Sequence, residues 1–272
     1  MKERKYIVDT TLRDGEQSPS ISFSRKQKLE IFRILEGTGV EQIEIGVPAS
    51  DSYVRETLRQ IVGIRKTAKI SVWSRLNPGD IQHCIDCGPD MIHISVPVSY
   101  GHIYSKLQKN KAWVLNQLYA CIGLLQTVDV EISVGFEDAS RADMTFLLTV
   151  TRTLTDFGIH RIRLADTVGI MTPSVARRAL KDFILHTGEK SSLGCHMHND
   201  LGMALANTIE MLKEGCDYAD TTVLGIGERA GNCDFYGLIR ATAPLFDFGI
   251  STITAMEAQK EISAVMSKQI PI

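Results

Sequence analysis

Two histidines one residue apart, in His196-Met197-His198-Asn199-Asp200, follow a short apolar run. Side chains alternate faces along a strand, so both imidazoles point the same way and could share one metal ion. Asp14, in Leu12-Arg13-Asp14-Gly15-Glu16-Gln17 behind an apolar run near the N-terminus, is the best acidic partner. Asn232, in Gly227-Glu228-Arg229-Ala230-Gly231-Asn232, can add an amide oxygen. Two neutral imidazoles and a carboxylate suit Zn²⁺, Mn²⁺, Co²⁺ or Fe²⁺, and Mg²⁺ if oxygen donors predominate. A centre with open positions can polarise a bound carbonyl, and Arg13 beside it offers a fixed cationic fork for an oxyanion or carboxylate. Bland roles compete with these. The histidines could be satisfied by hydrogen bonds and Asp14 could cap a turn. Glu228 and Arg229 read as a local ion pair holding their loop. Asp138, Arg141 and Asp143 read as charges at a helix start. His83, His93, His160 and His186 lack clustered partners and read as structural or exposed.

Such residues need a scaffold that gathers them. Apolar strand candidates fall at Tyr6–Asp9, Gln42–Gly46, Lys69–Trp73, Met91–Ser95, Glu131–Val134, Arg161–Leu164, Leu193–His196 and Tyr218–Thr222. Helix-length segments lie between them, among them Lys26–Gly37, Tyr53–Arg65, Lys111–Thr127, Met144–Phe157, Pro173–Thr187 and Met203–Gly215. Thr172 before Pro173 reads as an N-cap, and Gly158 and Gly215 as C-terminal stops. An amphipathic stretch over Phe235–Phe248 closes the series. Eight β-then-α units in 272 residues predict an α/β fold, a (β/α)8 TIM barrel, as one domain over 1–272. In such a barrel chemistry collects at the C-terminal strand ends. Polar residues fall there unit after unit: Arg13, Asp14 and Gln17; Glu44; Arg75; Ser99 and His102; Glu137 and Asp138; Asp166 and Thr167; His196 and His198; Glu228 and Asn232.

Bulk properties narrow the class. Hydrophobic residues make up 44% and charged residues 23%, ordinary for a soluble globular chain. A net charge of −2 gives no reason to expect a nucleic-acid or membrane partner. Met1-Lys2-Glu3-Arg4-Lys5-Tyr6 lacks a signal-peptide core, and the six scattered cysteines read as reduced thiols, so a cytoplasmic protein is expected. Cys84-x-x-Cys87 stands without a second pair, which disfavours zinc or redox chemistry. Gly225-Ile226-Gly227 lacks the strand-to-helix context of a phosphate cradle.

The motif Leu12-Arg13-Asp14-Gly15-Glu16-Gln17 with Lys28, and the stretch His196-Met197-His198-Asn199-Asp200-Leu201-Gly202 running through Ala206-Asn207 to Gly225-x-Gly227-Glu228-Arg229-Ala230-Gly231-Asn232, resemble the two signatures of the isopropylmalate and homocitrate synthases. The resemblance spans the barrel. It implies a TIM barrel with a divalent metal that condenses acetyl-CoA with a 2-oxo acid and hydrolyses the thioester. It implies metal ligation by Asp14, His196 and His198 with Asn232 nearby, and Arg13 stabilising charge on the 2-oxo group. It further implies an active-site role for Glu137, and a carboxylate-holding role for Thr167. Gln17, Glu44 and Arg75 complete the candidate substrate contacts, and Ser99, His102 and Lys106-Leu107 resemble the loop after the fourth strand.

Val72-Trp73-Ser74-Arg75-Leu76 and Gly135-Phe136-Glu137-Asp138-Ala139-Ser140-Arg141-Ala142-Asp143 are most similar to homocitrate synthases of the nitrogen-fixation type, which implies 2-oxoglutarate as acceptor. Lysine-pathway relatives carry an arginine where Ser133 stands, so another cation must meet the distal carboxylate: Arg75, with Arg163 in reserve. Pyruvate or 2-oxoisovalerate is the alternative. The family's smaller helical region is not seen before Ile272, which implies a separate C-terminal subunit or a shortened chain, besides a homo-oligomer. An acyl-CoA lyase would carry a cysteine in Leu224-Gly225-Ile226-Gly227-Glu228, where none stands, and a non-catalytic partner would not be expected to keep Arg13, Asp14, Glu137, His196 and His198.

Overall fold

The computed structural model describes residues 2–19, 21–188 and 191–267. Eight parallel strands pair in chain order: β1 (Tyr6–Asp9), β2 (Gln42–Glu44), β3 (Lys69–Arg75), β4 (Met91–Pro97), β5 (Glu131–Glu137), β6 (Arg161–Asp166), β7 (Ser192–Met197) and β8 (Tyr218–Thr221). β8 pairs back onto β1, Tyr6 opposite Tyr218 and Asp9 opposite Thr221, so the sheet closes into the expected barrel. Around it run α1 (Arg25–Gly37), α2 (Ser52–Ile64), α3 (Pro78–Ile85), α4 (Lys111–Leu125), α5 (Met144–Asp156), α6 (Pro173–Thr187), α7 (Ala204–Glu214), α8 (Phe235–Thr242) and α9 (Thr252–Ser267). None of these helices is long and apolar enough to cross a membrane.

The period-two pattern of the strands decides which residues see the core and which see the site. Ile43, Ile70, Val72, Ile92, Ile94, Val134, Phe136, Ile162 and Cys195 face outward, buried against the helices, and form the apolar core. Their neighbours face the barrel axis and are polar: Gln42 and Glu44, His93 and Ser95, Arg161 and Arg163, and Asp220 bond across it or line its cavities. Apolar-out, polar-in strands give a barrel whose interior can bind charge. At its lower end Arg161 stacks 3.7 Å over the Tyr218 ring and reaches across to Gln42, which donates to Ser71 at 2.7 Å.

Helix starts follow their sequences. Ser24 and Gln27 form a reciprocal capping box on α1, and Asp51, Asn77, Asn110, Asp143 and Asp234 each accept a first-turn N–H. One expectation needs refining and two need correction. Thr172 stands at the N-cap position of α6 with Pro173 after it, as expected, but its hydroxyl makes no capping bond and lies 3.3 Å from Ser174 Oγ instead. The stretch Phe235–Phe248 is not one helix. α8 ends at Thr242, and Phe246–Asp247 pairs in parallel with Glu3–Arg4, a second two-stranded sheet. Strands β3, β5 and β6 run two or three residues past their apolar cores, so Arg75, Glu137 and Asp166 end strands rather than follow them.

Asp9 closes β1 with one oxygen accepting the Thr11 N–H at 2.9 Å and the other buried without a partner. Burial pushes its carboxyl up to about 7, against the Thr11 bonds, with Asp220 adding to the rise. The unfolded group titrates near 3.8, so folding takes up a proton between these values. Stability therefore falls as pH rises from about 4 to about 7 and levels off above. Asp9→Asn removes that loss. Its melting temperature relative to the native chain should climb between pH 5 and pH 8, by the equivalent of a few kcal/mol. A difference that stays flat with pH would refute the assignment.

Candidate metal centre and cavity

The loop after β1 and the end of β7 meet at the C-terminal mouth of the barrel. Thr10 folds that loop into a tight turn, its carbonyl accepting the N–H groups of Arg13, Asp14 and Gly15. The turn aims Asp14 inward. Asp14 Oδ2 lies 2.9 Å from His196 Nε2, and the Nε2 atoms of His196 and His198 are 3.3 Å apart. All three residues are buried, and their donor atoms lie within 4.8 Å of one another. Asn232 pairs with His198 as an antiparallel bridge; its Nδ2 donates to the Ile226 carbonyl at 2.9 Å, while its Oδ1 is buried with no partner. A buried orphan amide oxygen beside two imidazoles and a carboxylate fits a divalent cation's donor set. A Cβ on Gly227 would stand 2.1 Å from Asn232 Nδ2, so a side chain there would displace that amide.

Electrostatics organise the same cluster. Burial opposes charge on Asp14, but Arg13 and the two histidines hold its carboxyl well below the usual range. Burial likewise works against His196, yet Asp14 and Asp220 together raise it. His198 is pushed down to about 4 by burial and by His196. One imidazole is thus kept basic and the other neutral. Asp220, on β8, is the residue that sequence reasoning missed: its Oδ2 meets His196 Nδ1 at 2.9 Å and Arg163 Nη1 at 2.5 Å. Its signal was a carboxylate in the middle of the apolar run Tyr218–Thr222.

A cavity of about 350 Å³ opens beside the cluster, lined by Arg13, Asp14, Gln17, Trp73, His93, Ser95, His102, Lys106, Glu137, Arg163, Thr167, His196, His198 and Glu228 among others. Arg13 Nε meets Glu44 Oε1 at 2.6 Å, its Nη1 lies 3.4 Å from Asp14, and its guanidinium sits 5.9 Å from the Trp73 ring centre. Burial disfavours its charge, and Asp14 and Glu44 more than restore it. Thr167 Oγ1 accepts the Asp138 N–H at 2.8 Å, leaving its own proton to donate. Glu137 reaches the rim, held by His102, Lys106 and Ser95.

Two expected substrate contacts are corrected. Glu44 is fully buried and absent from the cavity wall; Arg13 takes one of its oxygens and Arg163 the other, at 3.2 Å. Arg75 turns outward. Its side chain is 67% exposed and its Nε bonds Asp80 at 2.5 Å, in the first turn of α3, so it lines an adjoining hollow instead. Arg163 does face the cavity. It is 9% exposed and uses Nη1 alone for Glu44 and Asp220. His93, read as structural, is buried and lines the same cavity; Nδ1 lies 2.8 Å from Ser133 Oγ and Nε2 has no partner. Burial, then Arg163 and Arg13, keep it neutral.

The local ion-pair roles hold. Arg229 bonds Glu228, Asp200 at 2.8 Å and the Thr167 carbonyl at 2.7 Å, tying three loops. Asp138 bonds Arg141 at 2.7 Å, and Asp143 caps α5. All six cysteines are free and buried. Burial pushes the Cys84 thiol up to about 12 and raises that of Cys87 as well, so both stand protonated at neutral pH.

A closed parallel barrel with a buried Asp-His-His cluster at its C-terminal mouth defines a class of site, and the comparisons name the family. The HMGL-like family model matches residues 4–264. Homocitrate synthase subunit alpha of Clostridium pasteurianum is 41% identical over 88% of each chain. A 2-isopropylmalate synthase of Caldanaerobacter subterraneus is 35% identical over 98% of this chain and 69% of its own. The crystal structure of Bacillus subtilis HMG-CoA lyase matches with a TM-score of 0.86 at 18% identity, over 99% of this chain and 96% of its own, a likeness of fold. The chain belongs to the HMGL-like family, among the homocitrate and 2-isopropylmalate synthases.

Asp220 should matter to cation affinity through the imidazole it orients. Asp220→Asn is expected to weaken Mn²⁺ binding roughly 10- to 100-fold by calorimetry, and Asp14→Ala by more. Unchanged affinity in both variants would remove the cluster as a metal centre.

Proposed function

We propose that this chain is a subunit of a homocitrate synthase, condensing acetyl-CoA with 2-oxoglutarate to give homocitrate and CoA, and that it works with a second, separate subunit. The observation that carries the reading is the cavity in which Arg13 and Arg163 flank a three-residue cation site, one cation for each end of a dicarboxylic acceptor. The relative called subunit alpha, matched over 88% of each chain, supports the split arrangement.

In this reading Asp14, His196, His198 and Asn232 hold a divalent cation, which when bound supplies Lewis acidity to the acceptor's carbonyl. Arg13, fixed by Glu44, offers its remaining donors to the 2-oxo group and to the alkoxide that forms from it. Thr167 donates its hydroxyl to the neighbouring carboxylate. Arg163 meets the distal carboxylate from the barrel floor, in the role expected of Arg75. Glu137 is the acid–base group for the acetyl methyl, and Gln17 lines the path from the first loop. Water then cleaves the thioester and releases CoA.

Arg163 spends only Nη1 on Glu44 and Asp220, so a second carboxylate meets guanidinium donors that an acceptor lacking one leaves unbonded. CoA release should be assayed with 2-oxoglutarate, 2-oxoisovalerate and pyruvate, with and without the partner subunit. The expected preference is 2-oxoglutarate. Arg163→Gln should raise its KM at least about tenfold while changing the others little. Equal losses for all three acids would refute the role of Arg163, and preference for a monocarboxylic acceptor would refute the choice of substrate.

A further inference from the structure

Glu137 ends β5 facing the segment that follows β4, and that segment has an unusual form. Gly101–Lys106 is a single wide π-type turn. Such a turn carries more residues than an α-helical one, so positions i and i+4 fall on one side. Those positions are His102 and Lys106. His102 Nδ1 lies 3.1 Å from Glu137 Oε1, an ion-pair distance without the alignment of a hydrogen bond, and is buried with no hydrogen-bond partner among the described residues; Lys106 Nζ lies 3.7 Å from the same oxygen. Among the described residues the other oxygen, Oε2, receives only a 3.3 Å bond from Ser95 Oγ. His102 is 8% exposed, whereas the Lys106 side chain is 64% exposed at the mouth.

The turn is braced by the residue next to Glu137. Ser99 Oγ donates to Asp138 Oδ2 and accepts the His102 N–H at 3.1 Å, so the start of the turn is tied to β5's end. Asp138 holds this pose in a left-handed conformation, φ 62°, which a non-glycine residue adopts only under constraint. Its N–H bonds Thr167 and its carboxylate bonds Arg141. Glu137 and the turn that grips it therefore form one rigid unit.

Resting on the proposed condensation, we propose that His102 is a positioning residue: it pins Glu137 Oε1 and leaves Oε2 as the oxygen that takes the acetyl methyl proton. In that step the proton passes to Oε2. The C–H electron pair becomes the enolate C=C bond, the carbonyl pair moves to the thioester oxygen, and the glutamate's charge passes to the enolate. His102 itself transfers nothing. Burial opposes the charge on Glu137, and His102 and Lys106 more than offset it, which keeps the carboxylate able to accept.

The test uses the chain with its partner subunit. His102→Leu should lower kcat about 100-fold with the KM for 2-oxoglutarate within about twofold, and His102→Asn, whose amide can replace Nδ1, should recover about tenfold. In a Glu137→Gln background His102→Leu should cost nothing more. Full activity of His102→Leu, a loss confined to KM, or additive losses would overturn the proposal. Histidine-selective ¹⁵N NMR adds a readout independent of turnover: a bonded Nδ1–H of His102 that is lost in Glu137→Leu, which has no acceptor. Its absence from the native protein would overturn the pairing. If the native complex releases no CoA with any 2-oxo acid, the condensation reading falls, and the NMR result alone then decides whether His102 holds Glu137.

Discussion

Buried charges inside the barrel must cancel, and nearly every feature of the site follows from how they do. Arg13, Arg163, Asp14, Glu44 and Asp220 are all at least nine-tenths buried, and each would be costly to leave as an unpaired charge. Glu44 solves part of the problem by giving one oxygen to each arginine. Asp220 gives one oxygen to Arg163 and to His196 together. The result is a ring of contacts, Arg13 to Glu44 to Arg163 to Asp220 to His196 to Asp14 and back to Arg13, with the Trp73 ring against the Arg13 guanidinium. Such a network is rigid because removing any member strands its neighbours in a low-dielectric interior. Rigidity of this kind is what a cation site needs, since ligands that cannot relax hold their geometry without the ion.

Close packing makes room for the network. Gly135, on β5, has no side chain because His93 Nε2 occupies the place: a Cβ would stand 2.4 Å from it. His93 is oriented from the other side by Ser133, its register partner across the β4–β5 ladder. The floor of the cavity is therefore made by an imidazole and a guanidinium where a side chain at 135 would otherwise sit. Gly15 does the same at the mouth, where a Cβ would meet the Ile226 side chain at 2.9 Å.

The barrel was legible from the sequence because its strands are short apolar runs separated by helices with readable caps, and the register of strand faces did the rest. The Asp14, His196 and His198 cluster was legible for the same reason: a strand's period of two fixed the histidine pair, and the loop after β1 had to sit at the same mouth. What escaped is instructive. His93 and Asp220 lie in mid-strand, where a polar residue reads as tolerated rather than used, and only the closed ring shows that both face the axis. Arg75 has the parity of Trp73 and should face inward, but it is the last residue of β3, beyond the barrel's wall, and Asp80 draws it to the surface. Glu44 reads as a substrate contact from its place at a strand end. Its two oxygens are spent on arginines that arrive from β1's loop and from β6, over a hundred residues apart in one case.

Adjacent residues with opposite tasks recur around the mouth, once through strand geometry at the end of β5 and once in the loop after β8. At a strand's end successive side chains point to opposite faces, so one neighbour can enter the cavity while the next fixes the loop beyond it. Glu137 enters and Asp138 braces the turn after β4. Glu228 reaches toward His198 at 3.6 Å while Arg229, at φ 52°, ties its loop to Asp200 and Thr167. Each bracing residue sits in a left-handed conformation that costs about 1 kcal/mol or more. That cost is sustained only because its side chain makes several bonds at once. Strain at the mouth is thus a consequence of demanding both a cavity-facing group and a fixed loop from two consecutive residues, and it marks the loops whose positions the chemistry cannot let drift.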